Sequence, residues 1–343
     1  MKMKKPHNVR MNNYKNKEYL LNEILKVINL TKYYDDFLAV DKVNFDVKQA
    51  EIFGFLGPNG AGKTSTINML IGMAKISSGN VIYKGEDLTK KIKKAQKLIG
   101  IVPDESNLYD EMSGYENLCF CGSIYGMKKK EREARALELL EDFQLKDAAN
   151  KRFKAYSKGM KRKLTIASAL MHKPEILFLD EPTTGIDVVS VRQIRNMIKE
   201  LNKSGTTVFM TTHYIEEAER LCNRVAFINK GKIVKLDSVA NLIHNTQDSH
   251  VLEIVFEPVQ LNIKSFIEKL KKNFEDIECS LKDETCIKIV SNKKLDISPV
   301  VSTFSQEGFY ILEAKLIKPS LEDAFVKFTG IDINQMKKEK EKK

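Results

Sequence analysis

No stretch of the 343 residues comes near the roughly 18 consecutive apolar residues that a membrane-spanning helix needs. The N-terminal segment MKMKKPHNVRMNNYKNKEYL holds no apolar core and no small-residue cleavage site, so a secretory leader is not expected. Cysteine is scarce and scattered: Cys119, Cys121, Cys222, Cys279 and Cys286. None belongs to a CxxC pair with a second pair or a nearby histidine, which argues against a zinc site. An odd number without a framework suits a reducing compartment. Cys119 and Cys121 are two residues apart and fall on different faces of a helix. All five read as structural. No internal repeat is visible.

What is present is ordinary in bulk. Of all residues, 42% are hydrophobic and 30% charged, enough for a sizeable core. The length suggests two domains. The net charge of +11 permits contact with nucleic acid or an anionic membrane. Much of the excess sits in the first stretch and in the tail MKKEKEKK, where charge runs read as solvated tails.

From about Ile24 to Lys235, strand-like and helix-like segments alternate. VNFDV, EIFGFLG, NVIYKG, EILFLD, TTVFMTT and RVAFINKGKIV read as strands, and TSTINMLIGM as a helix. In KKEREARALELLEDFQL the spacing of Ala134, Leu137, Leu140 and Phe143 predicts an apolar helix face. Such alternation argues for an α/β sheet. After the polar stretch NLIHNTQDSH the pattern restarts. VLEIVFE, IKSFIEKLKKNF, IECSLKD, TCIKIVS, DISPVVSTFSQEG and YILEAKLIKP then predict the order β-α-β-β-α-β, followed by a helix over SLEDAFVKFT.

GFLGPNGAGKTSTINML matches the phosphate-loop pattern G-x-x-x-x-G-K-[ST] at Gly57, Gly62, Lys63 and Thr64. Glycines at 57, 60 and 62 let backbone N–H groups turn inward without a Cβ in the way. The helix that starts near Lys63 offers its positive end to phosphates. Lys63 can reach the β- and γ-phosphates, and the Thr64 hydroxyl can bind Mg²⁺. The competing reading is a glycine-rich strand-to-helix turn, but an apolar strand before the loop and an amphipathic helix after it favour phosphate binding. KPEILFLDEPTTGID ends an aliphatic strand on Asp180 and Glu181. Beside a phosphate loop, Asp180 suits Mg²⁺ and Glu181 can orient or deprotonate a water. In FMTTHYIEEAE, His213 stands just past another apolar run. Alone, such a histidine reads as a cap or a surface residue.

Taken in order, GPNGAGKTS, IGIVPDESNLYDEMSGYENL, YSKGMKRKL, ILFLDEPTTGID and TTHYIEEAE resemble the ATP-binding subunit of an ABC transporter of the drug- and antibiotic-export type. The resemblance covers roughly residues 24 to 330. The gap between Lys63 and Ser157 leaves room for a small helical subdomain, not for the long coiled coils of chromosome-maintenance ATPases. The implied fold is α/β: a P-loop ATPase domain over 24–245 with a helical subdomain at about 107–170, then an accessory α+β domain over 248–330. A basic tail over 1–23 and a charged tail over 331–343 flank them. The resemblance implies ATP and Mg²⁺ as cofactors, and hydrolysis that powers a separate transmembrane permease subunit. It implies a homodimer or heterodimer of ATPase subunits, peripheral on the inner, cytoplasmic face of the cell membrane.

Residue by residue, the resemblance implies that Tyr34 stacks on adenine, with Tyr33 as the fallback. Gly57, Pro58, Asn59, Gly60, Ala61, Gly62, Lys63, Thr64 and Ser65 hold the phosphates. Glu181 is the catalytic base, His213 contacts the γ-phosphate, and Asp187 couples the two sites. Mg²⁺ is met by Thr64, Asp180 and Asp104. Ser157, Lys158, Gly159 and Met160 form the signature, with Ser157 and Gly159 facing ATP bound by the other subunit. Three departures stand out. The signature usually reads Ser-Gly-Gly-Gln. Asp104 stands where a glutamine is usual, and a carboxylate there adds negative charge near the triphosphate. Val188 replaces a frequent proline. LIKPSLEDAFVKFTG resembles the ending of the exporter branch. Two other readings stay open at this point. One is an ABC-type ATPase acting on nucleic acid or ribosomes, disfavoured by the single phosphate loop. The other is a non-catalytic nucleotide-binding regulator, disfavoured by intact Glu181 and His213.

Overall fold

The computed structural model describes residues 23–246, 250–258, 263–274 and 276–331. The two terminal tails expected from the sequence lie outside the described residues, apart from Glu23 and Ile331. The described residues form two compact units, residues 23–239 with 328–331, and residues 240–327.

The first unit opens with a long antiparallel hairpin, β1 (Glu23–Tyr34) and β2 (Phe37–Lys48), followed by β3 (Ile52–Leu56) and α1 (Lys63–Ile71). Next come β4 (Ser78–Tyr83), β5 (Glu86–Asp87), α2 (Ile92–Ala95) and β6 (Ile99–Val102). Three helices, α3 (Gly114–Ile124), α4 (Lys129–Asp142) and α5 (Lys158–Ala169), precede β7 (Ile176–Asp180) and α6 (Val188–Lys203). β8 (Thr207–Thr212), α7 (Ile215–Leu221), β9 (Arg224–Asn229) and β10 (Lys232–Ser238) complete it.

Six strands form one sheet in the order β10-β9-β3-β8-β7-β6. All its pairings are parallel except β10 with β9. Every residue of β3, β7 and β8 is buried, which is why β3 and β7 read as nearly continuous apolar runs and β8 as the apolar centre Val208–Met210 between threonines, rather than as alternating strands. A second, antiparallel sheet runs β2-β1-β4-β5. Phe45 of this sheet packs on Phe53, Phe55 and Phe209 of the first, with ring centroids 5.5–5.9 Å apart. Fully burying one such ring contributes about 1.5–3 kcal/mol.

Because the central strands are parallel, their C-terminal ends lie along one edge. β3 delivers the chain to Gly57, β6 to Asp104, β7 to Glu181 and β8 to His213. Ligand sites of open parallel sheets form at such edges.

Three local expectations are corrected. RVAFINKGKIV is not one strand. It breaks into the hairpin β9–β10 at Lys230 and Gly231, both with positive φ, the twist that a two-residue hairpin turn demands. The apolar face of α4 is Ala136, Leu139 and Leu140, with Phe143 buried just beyond. Leu137 is 58% exposed, so the face is rotated from the one its spacing suggested. Finally, β1 and β2 each run 12 residues, far longer than VNFDV. Their pairing carries repeated register shifts, which break the alternation by which strands are recognised.

The second unit starts within α8 (Val239–His244) and continues through β11 (His250–Phe256), α9 (Ile263–Asn273), β12 (Ile277–Asp283), β13 (Cys286–Ser291), α10 (Ile297–Gln306), β14 (Ile311–Ile317) and α11 (Leu321–Thr329). The β-α-β-β-α-β order expected from the sequence is present. Its antiparallel sheet runs β12-β13-β11-β14. Leu252, Ile254, Phe256, Ile287 and Ile289 of the sheet meet Phe266, Leu270, Val300 and Phe304 of the two helices in a separate core.

All five cysteines are free thiols, and burial pushes every one above the ordinary thiol range. Cys279 is pushed up to about 11. At pH 8 that leaves about one thiolate per thousand molecules, and only the thiolate reacts. Iodoacetamide at pH 8 should therefore modify Cys279 and Cys222 slowly in the native protein and rapidly in denaturant, as followed by intact mass. Comparable rates in both states would contradict the raised thiol pKa values.

Candidate functional site

The loop between β3 and α1 is shaped by backbone proximity. A Cβ on Gly57 would lie 2.2 Å from the carbonyl oxygen of Ile228 in β9, so only glycine fits. Gly62 caps α1 with φ +102°, a left-handed conformation that favours glycine. No side chain caps this helix, and the positive end of a helix suits an anion. Asn59, Gly60 and Thr64 are exposed, whereas Lys63 is buried. The Lys63 Nζ donates to the carbonyls of Gly57 at 2.8 Å and Pro58 at 3.1 Å. It also stands 3.5 Å from Glu181 Oε1.

Glu181 is the centre of the site. It follows the last residue of β7 with φ +47°, a conformation that costs a non-glycine residue roughly 1–3 kcal/mol. Its backbone holds it there: its N–H donates to both the carbonyl and the hydroxyl oxygen of Thr211, each at 3.2 Å. Thr211, paired with Asp180 across β7 and β8, donates its hydroxyl to the Asp180 carboxylate. Glu181 Oε2 accepts from His213 Nδ1 at 2.8 Å and from Thr184 Oγ1 at 3.3 Å. A carboxylate can only accept, so the His213 proton sits on Nδ1 and Nε2 is the ring's second site. The Glu181 side chain is 12% exposed. Burial works to raise its pKa, but the His213 hydrogen bond and charge and the Lys63 ammonium outweigh it and hold the carboxyl below its ordinary value.

Asp104, after β6, faces Arg162 of α5, with Oδ1 3.6 Å from Nη2. Burial raises its pKa; Arg162 opposes this, while the nearby Glu181 and Asp180 charges add to it. The structure thus brings Lys63, Glu181, His213, Asp180 and Asp104 to one edge. Tyr33 and Tyr34 stand at the exposed end of β1, where Lys32 Nζ lies 4.5 Å over the Tyr34 ring. They pair with Leu38 and Phe37 of β2, and the next residue of β2, Ala39, has its carbonyl 2.7 Å from where a Cβ on Gly62 would stand. Nothing in these contacts chooses between the two tyrosines.

The signature residues form the start of α5. Ser157 is its N-cap and accepts from the Met160 N–H at 3.2 Å. Ser157 and Lys158 are exposed, while Gly159 is buried. A Cβ on Gly159 would lie 2.1 Å from Ser190 Oγ, so its glycine is needed within this chain for close packing on α6. Asp187 caps α6, accepting from the Ser190 N–H at 2.9 Å.

Two contributors escape a reading of the sequence. Arg162 looks like one more charge in the basic run KGMKRK, yet it is 6% exposed. The mostly apolar run LTIASALM that follows it and begins in the same helix is the one signal in the sequence that could have marked it. Glu217, fully buried, accepts from Thr183 at 2.7 Å and Thr212 at 3.0 Å and so ties the turn after Glu181 to the one before His213. Burial raises its pKa despite those two bonds. Its neighbour Glu216 is a surface residue of the same type, so the sequence alone does not separate them.

A glycine-shaped phosphate loop beside two strand-end carboxylates and a histidine defines a nucleoside-triphosphate hydrolase of the P-loop fold. The family profile described as ABC transporter matches residues 40–184. The chain is 34% identical over 307 residues to the linearmycin resistance ATP-binding protein of Bacillus subtilis, covering 90% of this chain and 98% of that one. It is 33% identical to the Nod factor export ATP-binding protein I of Cupriavidus metallidurans, covering 90% and 97%. Among solved structures it resembles a dimeric ATP-binding cassette in a post-hydrolysis state with ADP and phosphate bound, at TM-score 0.58 and 28% identity, covering 62% of this chain and 98% of the other. An ATP-binding subunit of an ABC transporter matches at TM-score 0.59 and 26% identity, covering 65% and 92%. The chain belongs to the ABC transporter family, as an ATP-binding subunit that binds nucleotide and hydrolyses ATP. The 307-residue match is longer than the first unit, so the relatives share at least part of the second unit as well.

Two outcomes are expected. Gly57→Ala drives a Cβ into the backbone of β9 and should weaken binding of a fluorescent ATP analogue about tenfold or more, with the loop rather than the fold displaced. For Glu181, a lowered folded-state pKa means its stabilisation is present above the ordinary value of 4.5 and is lost as pH falls through the lowered one. His213→Ala removes a partner of the ionised form. The stability gap between His213→Ala and wild type, from urea titrations, should close below about pH 4.5.

Proposed function

We propose that this subunit hydrolyses ATP to drive export through a separate membrane-spanning partner, and that it works as a dimer on the inner face of the membrane. What carries the mechanism is Glu181, an ionised carboxylate held between Lys63 and His213 at the end of β7. In that state it can accept a proton from water as the water attacks the γ-phosphate. The Lys63 ammonium balances charge on the β- and γ-phosphates, and the open N-terminus of α1 binds them through Gly57 to Ser65. His213 holds the carboxylate's second oxygen and keeps Glu181 aimed.

Among the described residues, no cluster of three or more His, Cys, Asp and Glu side chains could hold a metal by itself. The exposed Thr64 hydroxyl and the Asp180 carboxylate are hard oxygen donors. They fit Mg²⁺ that takes its remaining ligands from the triphosphate. When bound, Mg²⁺ would neutralise phosphate charge there. Asp104 would serve the same region, with Arg162 offsetting its own charge.

Ser157 and Gly159 are assigned to the ATP held by the other subunit. The exposed Ser157 hydroxyl at the start of a 12-residue helix suits an anion. Asp187, whose Oδ2 lies 3.6 Å from where a Cβ on Gly159 would stand, would couple the two sites, and Tyr34 would stack on adenine. No helix among the described residues is long and apolar enough to cross a membrane; we assign the transport path to another chain. The two relatives are named for resistance to linearmycin and for Nod factor export, which are different cargoes, so we assign cargo choice to the membrane partner.

Glu181→Gln should still bind ATP but lose turnover by about 100-fold or more. With ATP it should accumulate as a dimer on size-exclusion chromatography. Turnover at the wild-type rate would remove Glu181 from the role of base.

A further inference from the structure

Arg162 lies in α5, five residues beyond Ser157, and its guanidinium reaches two other segments. Nη1 donates to the Pro103 carbonyl at 2.5 Å. Nη2 donates to the Asp104 carbonyl at 2.7 Å and to the Glu181 carbonyl at 3.1 Å. One planar fork therefore joins the loop after β6 to the backbone of Glu181. The Glu181 carbonyl belongs to the residue held at φ +47°. With its N–H bound to Thr211 and its carbonyl bound to Arg162, both ends of that residue's backbone are fixed. A lysine could not reproduce this, because its single ammonium lacks the rigid, divergent donors. The start of the same helix carries Ser157 and Gly159, and Gly159 is packed hard against Ser190. An α-helix moves as a unit over the one and a half turns from Ser157 to Arg162.

We propose that Arg162 is a positioning residue through which the signature helix sets the backbone of Glu181, and that it thereby couples the two ATP sites of the dimer. The coupling rests on the reading above, in which Ser157 and Gly159 meet the partner's ATP. On that reading one end of α5 lies in the partner's site while Arg162 lies in its own. ATP engaged at the start of the helix fixes Arg162, and Arg162 fixes Glu181. Asp104 belongs to the same device. Where the family resemblance leads one to expect glutamine, the carboxylate gives the guanidinium an anionic neighbour, so the loop after β6 follows the same helix.

The test compares the full-length wild type with Arg162→Gln and Arg162→Lys, reading kcat, KM and the Hill coefficient for MgATP hydrolysis. Circular dichroism melts give the folded fraction. The same substitutions in the Glu181→Gln background are assayed for the ATP-dependent dimer. Arg162→Gln should lower kcat about 10- to 100-fold with little change in KM, since misplacing a catalytic group costs turnover rather than binding. The Hill coefficient should fall from above one to about one, while the dimer persists. Arg162→Lys should recover part of the kcat but not the cooperativity. The proposal is overturned if folded Arg162→Gln keeps the wild-type kcat and Hill coefficient, if kcat falls only in proportion to the folded fraction, or if the wild type itself shows no cooperativity. Absence of an ATP-dependent dimer from Glu181→Gln with Arg162 intact would overturn the dimer reading instead, and the coupling with it.

Discussion

A carboxylate kept ionised out of water is the constraint around which the first unit is arranged. Glu181 is almost buried, and a buried charge is tolerated only when it is paired and hydrogen-bonded. Its partners come from three separate places: Lys63 from the loop after β3, His213 from the end of β8, and Thr184 from its own turn. The sheet order β3-β8-β7 is what makes this possible, because it sets the three strand ends side by side. Shift any of them and a charge is left without a partner. The same arrangement that stabilises the ion pair places a carboxylate beside a phosphate loop, so stability and the proposed chemistry share one set of contacts.

Helix α5 shows how such a site is extended beyond its own strand ends. Its first turn is exposed at Ser157 and Lys158 and tightly packed at Gly159, and the buried Arg162 follows. The helix therefore has one face committed to α6 and the loop after β6, and one end open. That division explains why the signature tolerates Lys158 and Met160 where glycine and glutamine are usual. Lys158 is exposed and Met160 half-buried, and the close contact depends on Gly159 alone. The second unit, by contrast, has its own core of Phe256, Phe266, Phe304 and Phe309 and shares no residue with the site. The solved cassettes, which cover under two thirds of the chain, show that the catalytic design occurs without a counterpart to all of it.

Much of this was legible in advance, for reasons that differ by element. β3 and β7 could be read because strands covered on both faces are nearly apolar throughout, and β8 because its β-branched threonines flank an apolar centre. The second unit could be read because its strands and helices follow one another with clear turns. The β1–β2 hairpin was not, since its register shifts destroy alternation. The α4 face was misread because Leu137 is apolar yet exposed, and a single exposed leucine is common on a protein surface.

The sequence by itself determined the residue types of the site and their order along the chain. Glycine at 57 and 62, lysine at 63, and acids ending an apolar run are local requirements of backbone geometry and charge, and local requirements leave local patterns. Only the tertiary structure decided which of these groups meet. That Glu181 is ionised between Lys63 and His213, that Arg162 and not the equally buried Lys163 pairs with Asp104, and that Glu217 rather than Glu216 ties two turns together all depend on strand order and helix packing. Burial and pairing arise between segments far apart in the chain, and no short pattern of residues encodes them.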